Sequence, residues 1–241
     1  MNVGIAVFAA IAGYLAGSVL FAPLVFRVLA KRARPQVLQL AVPGTSEMLS
    51  TTTASATAVR LQFGTRYGCL TSILDMAKAA GVTLAFKLAY PQTPYFLIAS
   101  GCAVVGHVWP LLYRFRGGRG QSPTIGGLFA VDWASPLIAY PVAQLLGLLT
   151  GSRAYVGRFS PLLIAAVWLY FRFRSAAYVC YALGIFAVRL LAMRSEIRQF
   201  SKLRKAGHLR TLKEEAELLG FDSVFRALKG GLRRLRFYRH P

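Results

Sequence analysis

Residues 114–120 read "RFRGGRG", three arginines and three glycines in seven positions, directly after the apolar run "GHVWPLLY". Arg116 and Arg119 offer planar sets of donors that match phosphate oxygens. Gly117, Gly118 and Gly120 permit positive φ and let backbone N–H groups approach an anion closely. Together they predict a phosphate cradle at a helix–loop–helix junction. The arginines alone would also serve as anchors at a helix C-terminus, where cations are favoured.

His107 lies within the preceding apolar run. A lone histidine there is commonly satisfied by a neighbouring group, but an ionisable residue inside a membrane span is a functional candidate. Asp75 and Lys78, in "ILDMAKAAG", are three apart and share one helix face. That spacing suits a buried ion pair between helices, or a lysine helping to hold an anionic substrate. The chain has no GxSxG elbow, no HExxH and no GxxxxGK[ST] loop. An HxxxxD pair is also missing, since Leu112 stands where the aspartate would be. No acidic cluster suits a metal, and Cys69, Cys102 and Cys180 have no ligand spacing. We therefore expect no metal and no cofactor, and three reduced thiols packed between helices.

The elements that must position these groups follow from hydropathy. The chain has 241 residues, a net charge of +21 and 56% hydrophobic residues, and residues 2–26 carry no charge. Spans are predicted at 3–27, 68–90, 93–113, 134–150, 159–173 and 176–193, with a shorter piece at 122–132. Counting the short piece puts most of the Lys and Arg on one side, as the positive-inside rule requires. The expected fold is all-α: a seven-helix transmembrane bundle over residues 1–200, with cytoplasmic loops and a basic cytoplasmic tail at 201–241. The first apolar stretch has no positive charge before it and the cluster Lys31-Arg32-Ala33-Arg34 after it. It predicts a retained helix with its N-terminus outside and the C-terminus of the chain in the cytoplasm, multi-pass in a cell inner or plasma membrane. Residues 35–63 read as a loop, hydroxyl-rich from Ser50 to Thr57, either a solvated linker or the lining of a site. The tail at 221–238 reads as a basic amphipathic helix suited to anionic membrane lipid. Charge placed between apolar spans points to lipid headgroups or a phosphorylated ligand, not to nucleic acid.

The segment "GHVWPLLYRFRGGRG" resembles the G-H-x-x-P-x-x-x-x-F-K-G-G-K-G motif of the PlsY-type glycerol-3-phosphate acyltransferases, integral membrane enzymes that use acyl phosphate as donor. Arg116 and Arg119 stand in place of the two lysines. "YLAGSVLFAPL" (14–24) is similar to the family's Y-L-x-G-S-I-P, and "GTRYGCLTSILDMAKA" to its G-K-K-x-G-x-x-x-x-x-x-D-x-x-K-G. Asp132 falls where the family often has an aspartate. The resemblance implies transfer of a fatty acyl group from acyl phosphate to glycerol 3-phosphate, giving lysophosphatidate for phospholipid synthesis. It further implies phosphate binding by Arg116, Gly117, Gly118, Arg119 and Gly120, with Thr57 and Arg60 facing them. His107 would be the catalytic group, orienting or handling a proton, and Ser18, Asp75, Lys78 and Ser160 would support structure or substrate. Residues 51–58 read "TTTASATA" where the family has S-G-N-x-G-A-T-N, and 193–197 read "MRSEI" where it has H-R-x-N-I. These differences leave a second reading: a divergent member that binds phosphate or lipid at the membrane without catalysis, or with an altered substrate.

Overall fold

The first apolar run breaks into two helices, α1 (Val3–Ser18) and α2 (Phe21–Leu29). Pro23 explains the break, because it has no N–H to offer the Val19 carbonyl four residues earlier. A lysine from elsewhere supplies the missing donor: Lys78 Nζ donates to the carbonyls of Gly17 (3.0 Å) and Val19. The expected single span over 3–27 is thus bent at a point held by a buried cation.

The computed structural model describes residues 1–29, 38–41, 48–51, 55–150 and 156–205. After α2 comes a short antiparallel hairpin, β1 (Leu38–Ala41) and β2 (Met48–Thr51), with Leu38 opposite Thr51. Helix α3 (Ala56–Phe63) follows, capped by Ser55, whose Oγ accepts from Ala58 N at 3.2 Å. The expected 35–63 loop is therefore partly structured. Local capping by Ser55, and Gly64 at φ 95° closing α3, override its polar composition.

The remaining elements are α4 (Thr65–Ala89), α5 (Tyr95–Val108) with a 3-10 turn at Leu111–Tyr113, α6 (Gln121–Val131), α7 (Ala134–Leu149), α8 (Val156–Phe173) and α9 (Ala176–Lys205). Five stretches are long and apolar enough to cross a membrane: Val3–Leu29, Thr65–Ala89, Tyr95–Tyr113, Val156–Phe173 and Ala176–Ser195. The fold is a multi-pass, predominantly helical membrane bundle. Large apolar side chains such as Leu88, Leu137, Val167 and Phe171 are exposed on its outside, as a lipid-facing surface requires.

Close packing rests on small residues. Gly13 and Gly17, four apart on α1, lie directly on the Ala99 and Ala103 backbone of α5, and a Cβ at either would overlap it. Helix α6 packs on α4, α7 on α8, and α9 on both α8 and α5. With 11 residues α6 is only about 16 Å long, about half of a core of roughly 30 Å, so a crossing there needs the segments flanking the helix as well. Its last carbonyls, on Ala130 and Val131, accept from Lys87 Nζ of α4 at 2.9 and 2.8 Å. Asp132 then caps α7, accepting from Ser135 N (3.0 Å) and Trp168 Nε1 (2.7 Å).

Helix α9 continues through position 201 to Lys205, beyond the expected end of the last span. The amphipathic tail predicted at 221–238 and the basic cluster 31–34 lie outside the described residues. The three cysteines are free, and Cys69 and Cys180 are exposed, not packed between helices as their apolar context suggested.

Candidate active site

A cavity of about 510 Å³ opens among α3, α4, α5, α6, α7, α8 and α9. Three helices begin at its wall: α3 with Ser55, Ala56 and Thr57, α6 with Gln121 and Ser122, and α8 with Gly157 and Arg158. Helix N-termini carry partial positive charge and free N–H groups, so their convergence favours an anion. Among the described residues four arginines line the same space, Arg60, Arg119, Arg158 and Arg189. Among the described residues Asp75 is the one carboxylate on the wall, and it is already paired.

The α8 start is supported by a specific device. Pro161 cannot donate to the Gly157 carbonyl four residues back, and Gln144 Nε2 of α7 does so at 2.8 Å. Ser160 turns back on its own helix, donating to Val156 O at 2.6 Å, and does not line the cavity.

Asp75, Lys78 and His107 form one buried cluster. Lys78 Nζ lies 2.8 Å from Asp75 Oδ1 and 3.1 Å from His107 Nδ1, and His107 Nδ1 lies 3.5 Å from Asp75 Oδ1. Asp75 is 2% and His107 4% exposed. Lys78 also holds the end of α1, so all its contacts are with the protein and it does not line the cavity. Asp75 and His107 do line it. Ser18 is buried nearby in sequence from that break and donates to Tyr14 O at 2.8 Å.

The glycine loop is built differently from its predicted role. Gly117 N donates to Val108 O (3.2 Å) and Gly118 N to His107 O (3.0 Å). Those N–H groups close the C-terminus of α5 and are not available to a phosphate. Gly117 is glycine because the chain lies against that helix end; a Cβ there would strike the carbonyls of His107 and Val108 (2.7 Å from the latter) and Pro110 Cδ (2.6 Å). Positive φ falls on Gly120 (72°), the N-cap of α6, as expected of that glycine, and otherwise on Arg114 (53°) and Phe115 (59°), not on Gly117 or Gly118. Arg116 is exposed and off the cavity, whereas Arg119 lies on its wall. Of the residues singled out in the sequence, Thr57, Arg60, Asp75, His107 and Arg119 come together; Ser18, Lys78, Arg116, Gly117, Gly118, Gly120 and Ser160 do not line the cavity.

Sequence reasoning passed over Arg158, Gln121, Gln144 and Arg189. Arg189 carried a readable signal, as the single charged residue within the predicted 176–193 span. Among the described residues no group of His, Cys, Asp and Glu is placed to hold a metal.

Residues 7–202 match the family described as glycerol-3-phosphate acyltransferase. The chain belongs to the glycerol-3-phosphate acyltransferase family. It is 34% identical over 131 residues to glycerol-3-phosphate acyltransferase 1 of Moorella thermoacetica, covering 53% of this chain and 65% of that protein. It is 29% identical over 133 residues to the protein of the same name from Oceanobacillus iheyensis, covering 52% and 64%. The matched part thus spans just under two thirds of the length of these relatives. The fold is similar to crystal structures of PlsY, an integral membrane glycerol 3-phosphate acyltransferase. The glycerol 3-phosphate form superposes with a TM-score of 0.68 at 21% identity, over 88% of this chain and 98% of that one. The lysophosphatidic acid form gives 0.67 over 89% and 98%, also at 21% identity. The family's fold and this chain's cationic cavity therefore occur together.

Proposed function

We propose that this protein transfers a fatty acyl group from acyl phosphate to glycerol 3-phosphate, giving lysophosphatidate and inorganic phosphate. The observation that carries the reading is the cavity: among the described residues, four arginines and three helix N-termini inside an apolar bundle. Family membership and the ligand forms of the similar PlsY structures support the choice of substrates.

The chemistry asks little of a nucleophile. An acyl phosphate is already activated, so the glycerol hydroxyl oxygen attacks the acyl carbon and the bond from that carbon to the phosphate oxygen breaks. The hydroxyl proton ends on the departing phosphate. Orientation and electrostatic stabilisation of two phosphates supply the acceleration. Thr57 and Arg60 of α3 and Arg119 before α6 hold phosphate. His107 is fixed through Nδ1 by the Asp75–Lys78 pair, which leaves Nε2 as the nitrogen for orienting the acceptor or handling a proton. The fatty chain lies between helices, and the product leaves into the bilayer.

The reading includes seven crossings, with α6 and α7 as two of them, the N-terminus outside and the tail in the cytoplasm on anionic lipid of the inner or plasma membrane. The placement of Lys and Arg supports that orientation.

Purified protein in detergent, given acyl phosphate and radiolabelled glycerol 3-phosphate, tests the reaction. Labelled lysophosphatidate and equimolar phosphate are expected. A folded sample that binds phosphate but forms no product would leave a non-catalytic phosphate- or lipid-binding member of the family.

A further inference from the structure

Arg189 sits on α9 with 1% of its surface exposed, and it faces the cavity. Its Nη2 donates to Gln121 Oε1, and its guanidinium lies 6.0 Å over the Phe159 ring. Among the described residues, Nε and Nη1 are buried and have no hydrogen-bond partner. Buried donors are almost always paired, and a buried cation more so, because both lose their hydration. These two donors are therefore short of acceptors that a ligand can bring.

A second observation converges on the same spot. Gln121 and Ser122, the first residues of α6, line the cavity beside Arg189, and the N-cap Gly120 has no side chain to take the first N–H groups of that helix. Gly120 lies close against Arg189: a Cβ added at Gly120 would stand 3.7 Å from Arg189 Cγ. A helix N-terminus, a buried guanidinium and an amide thus border one volume. One turn further along α9, Met193 lines the cavity with an apolar side chain, so among the described residues Arg189 is the polar contribution of that helix.

We propose that Arg189, Gln121 and the N-terminus of α6 form a seat for a phosphate group, separate from the Thr57 and Arg60 contacts on α3. Phosphate suits the seat better than carboxylate. The guanidinium and the helix end together present more donors than two carboxylate oxygens accept, and three terminal oxygens can meet them. The proposal deepens the transferase reading and rests on it only for the identity of the molecule that carries the phosphate. Arg189 is a binding and specificity residue that no motif in the sequence indicated.

Full-length protein in detergent is unfolded thermally at increasing inorganic phosphate, comparing wild type with R189M and R189K. Phosphate is expected to raise the wild-type midpoint. Its apparent Kd should rise about tenfold or more in R189M, with the phosphate-free midpoint unchanged or higher because a buried cation is gone. R189K keeps charge without the planar donors and should fall between. Unchanged phosphate affinity in both variants overturns the proposal, and if R189M does not fold, R189K decides by the same criterion. Steady-state assays then assign the carrier: a KM rise confined to acyl phosphate or to glycerol 3-phosphate names it. If wild type forms no lysophosphatidate while its phosphate affinity still depends on Arg189, the transferase reading fails and the seat stands.

Discussion

The lysines of α4 and the arginine of α9 are cations within the same bundle, Lys87 half-buried and Arg189 fully buried, yet their surroundings differ. Lys78 meets two carbonyls, Asp75 and His107, and Lys87 meets two carbonyls and the Phe96 ring at 5.7 Å. Each closes a helix end that the chain leaves open: α1 at its break and α6 where it stops short. Among the described residues Arg189 has one protein acceptor, and its Nε and Nη1 are buried without any. A cation whose acceptors all come from the protein holds the fold together; a cation left short of them is the one we propose to hold a ligand. The difference separates scaffold from site without reference to sequence motifs.

The largest expected effect is on the scaffold side. K78M leaves the Asp75 carboxylate buried beside a histidine alone and strips the Gly17 and Val19 carbonyls of their donor. Unfolding in detergent should show a loss of about 3–5 kcal/mol, as when one partner of a buried ion pair is removed. A loss below about 1 kcal/mol would mean that the cluster is not what holds the α1 break.

R119A comes next and should act on the other side of the contrast. Acyl transfer is expected to fall about 10- to 100-fold, equal to roughly 1.4–2.7 kcal/mol of transition-state stabilisation, with little change in unfolding midpoint. G117A should do the reverse, costing about 1–3 kcal/mol of stability through overlap with the end of α5. If G117A instead remained stable and lost phosphate affinity, the loop would be a cradle after all. R116A should be the mildest, with activity within about threefold of wild type, because an exposed arginine off the cavity contributes little.

Five of the expected spans were legible because bilayer thickness imposes a length that composition alone can satisfy; the segments at 122–132 and 134–150 form helices shorter than that length. The break at Val19 was legible too, in Pro23, but continuous hydropathy masked it. Helix α3 was harder, since "ASATAVRLQ" has no strong period and its start depends on one serine cap. The roles of Gly117 and Gly118 could not be read locally. Both depend on where the carbonyls of α5 end, at Val108 and His107, nine and eleven residues earlier in sequence but adjacent in space. Arg116 and Arg119 look alike in "RFRGGRG", and only the turn through Arg114 and Phe115, both at positive φ, sends one outward and the other into the cavity. Arg189 was available to any rule that flags charge inside a span, and was passed over because no motif surrounds it.

A structure of the protein with glycerol 3-phosphate is the most direct test of where the site lies. The expected result is a phosphate inside the cavity, within hydrogen-bond distance of the Arg60, Arg119 or Arg189 guanidinium. A phosphate bound outside, at Arg114 and Arg116, with the cavity empty, would contradict the division between the paired lysines and the arginine-lined wall.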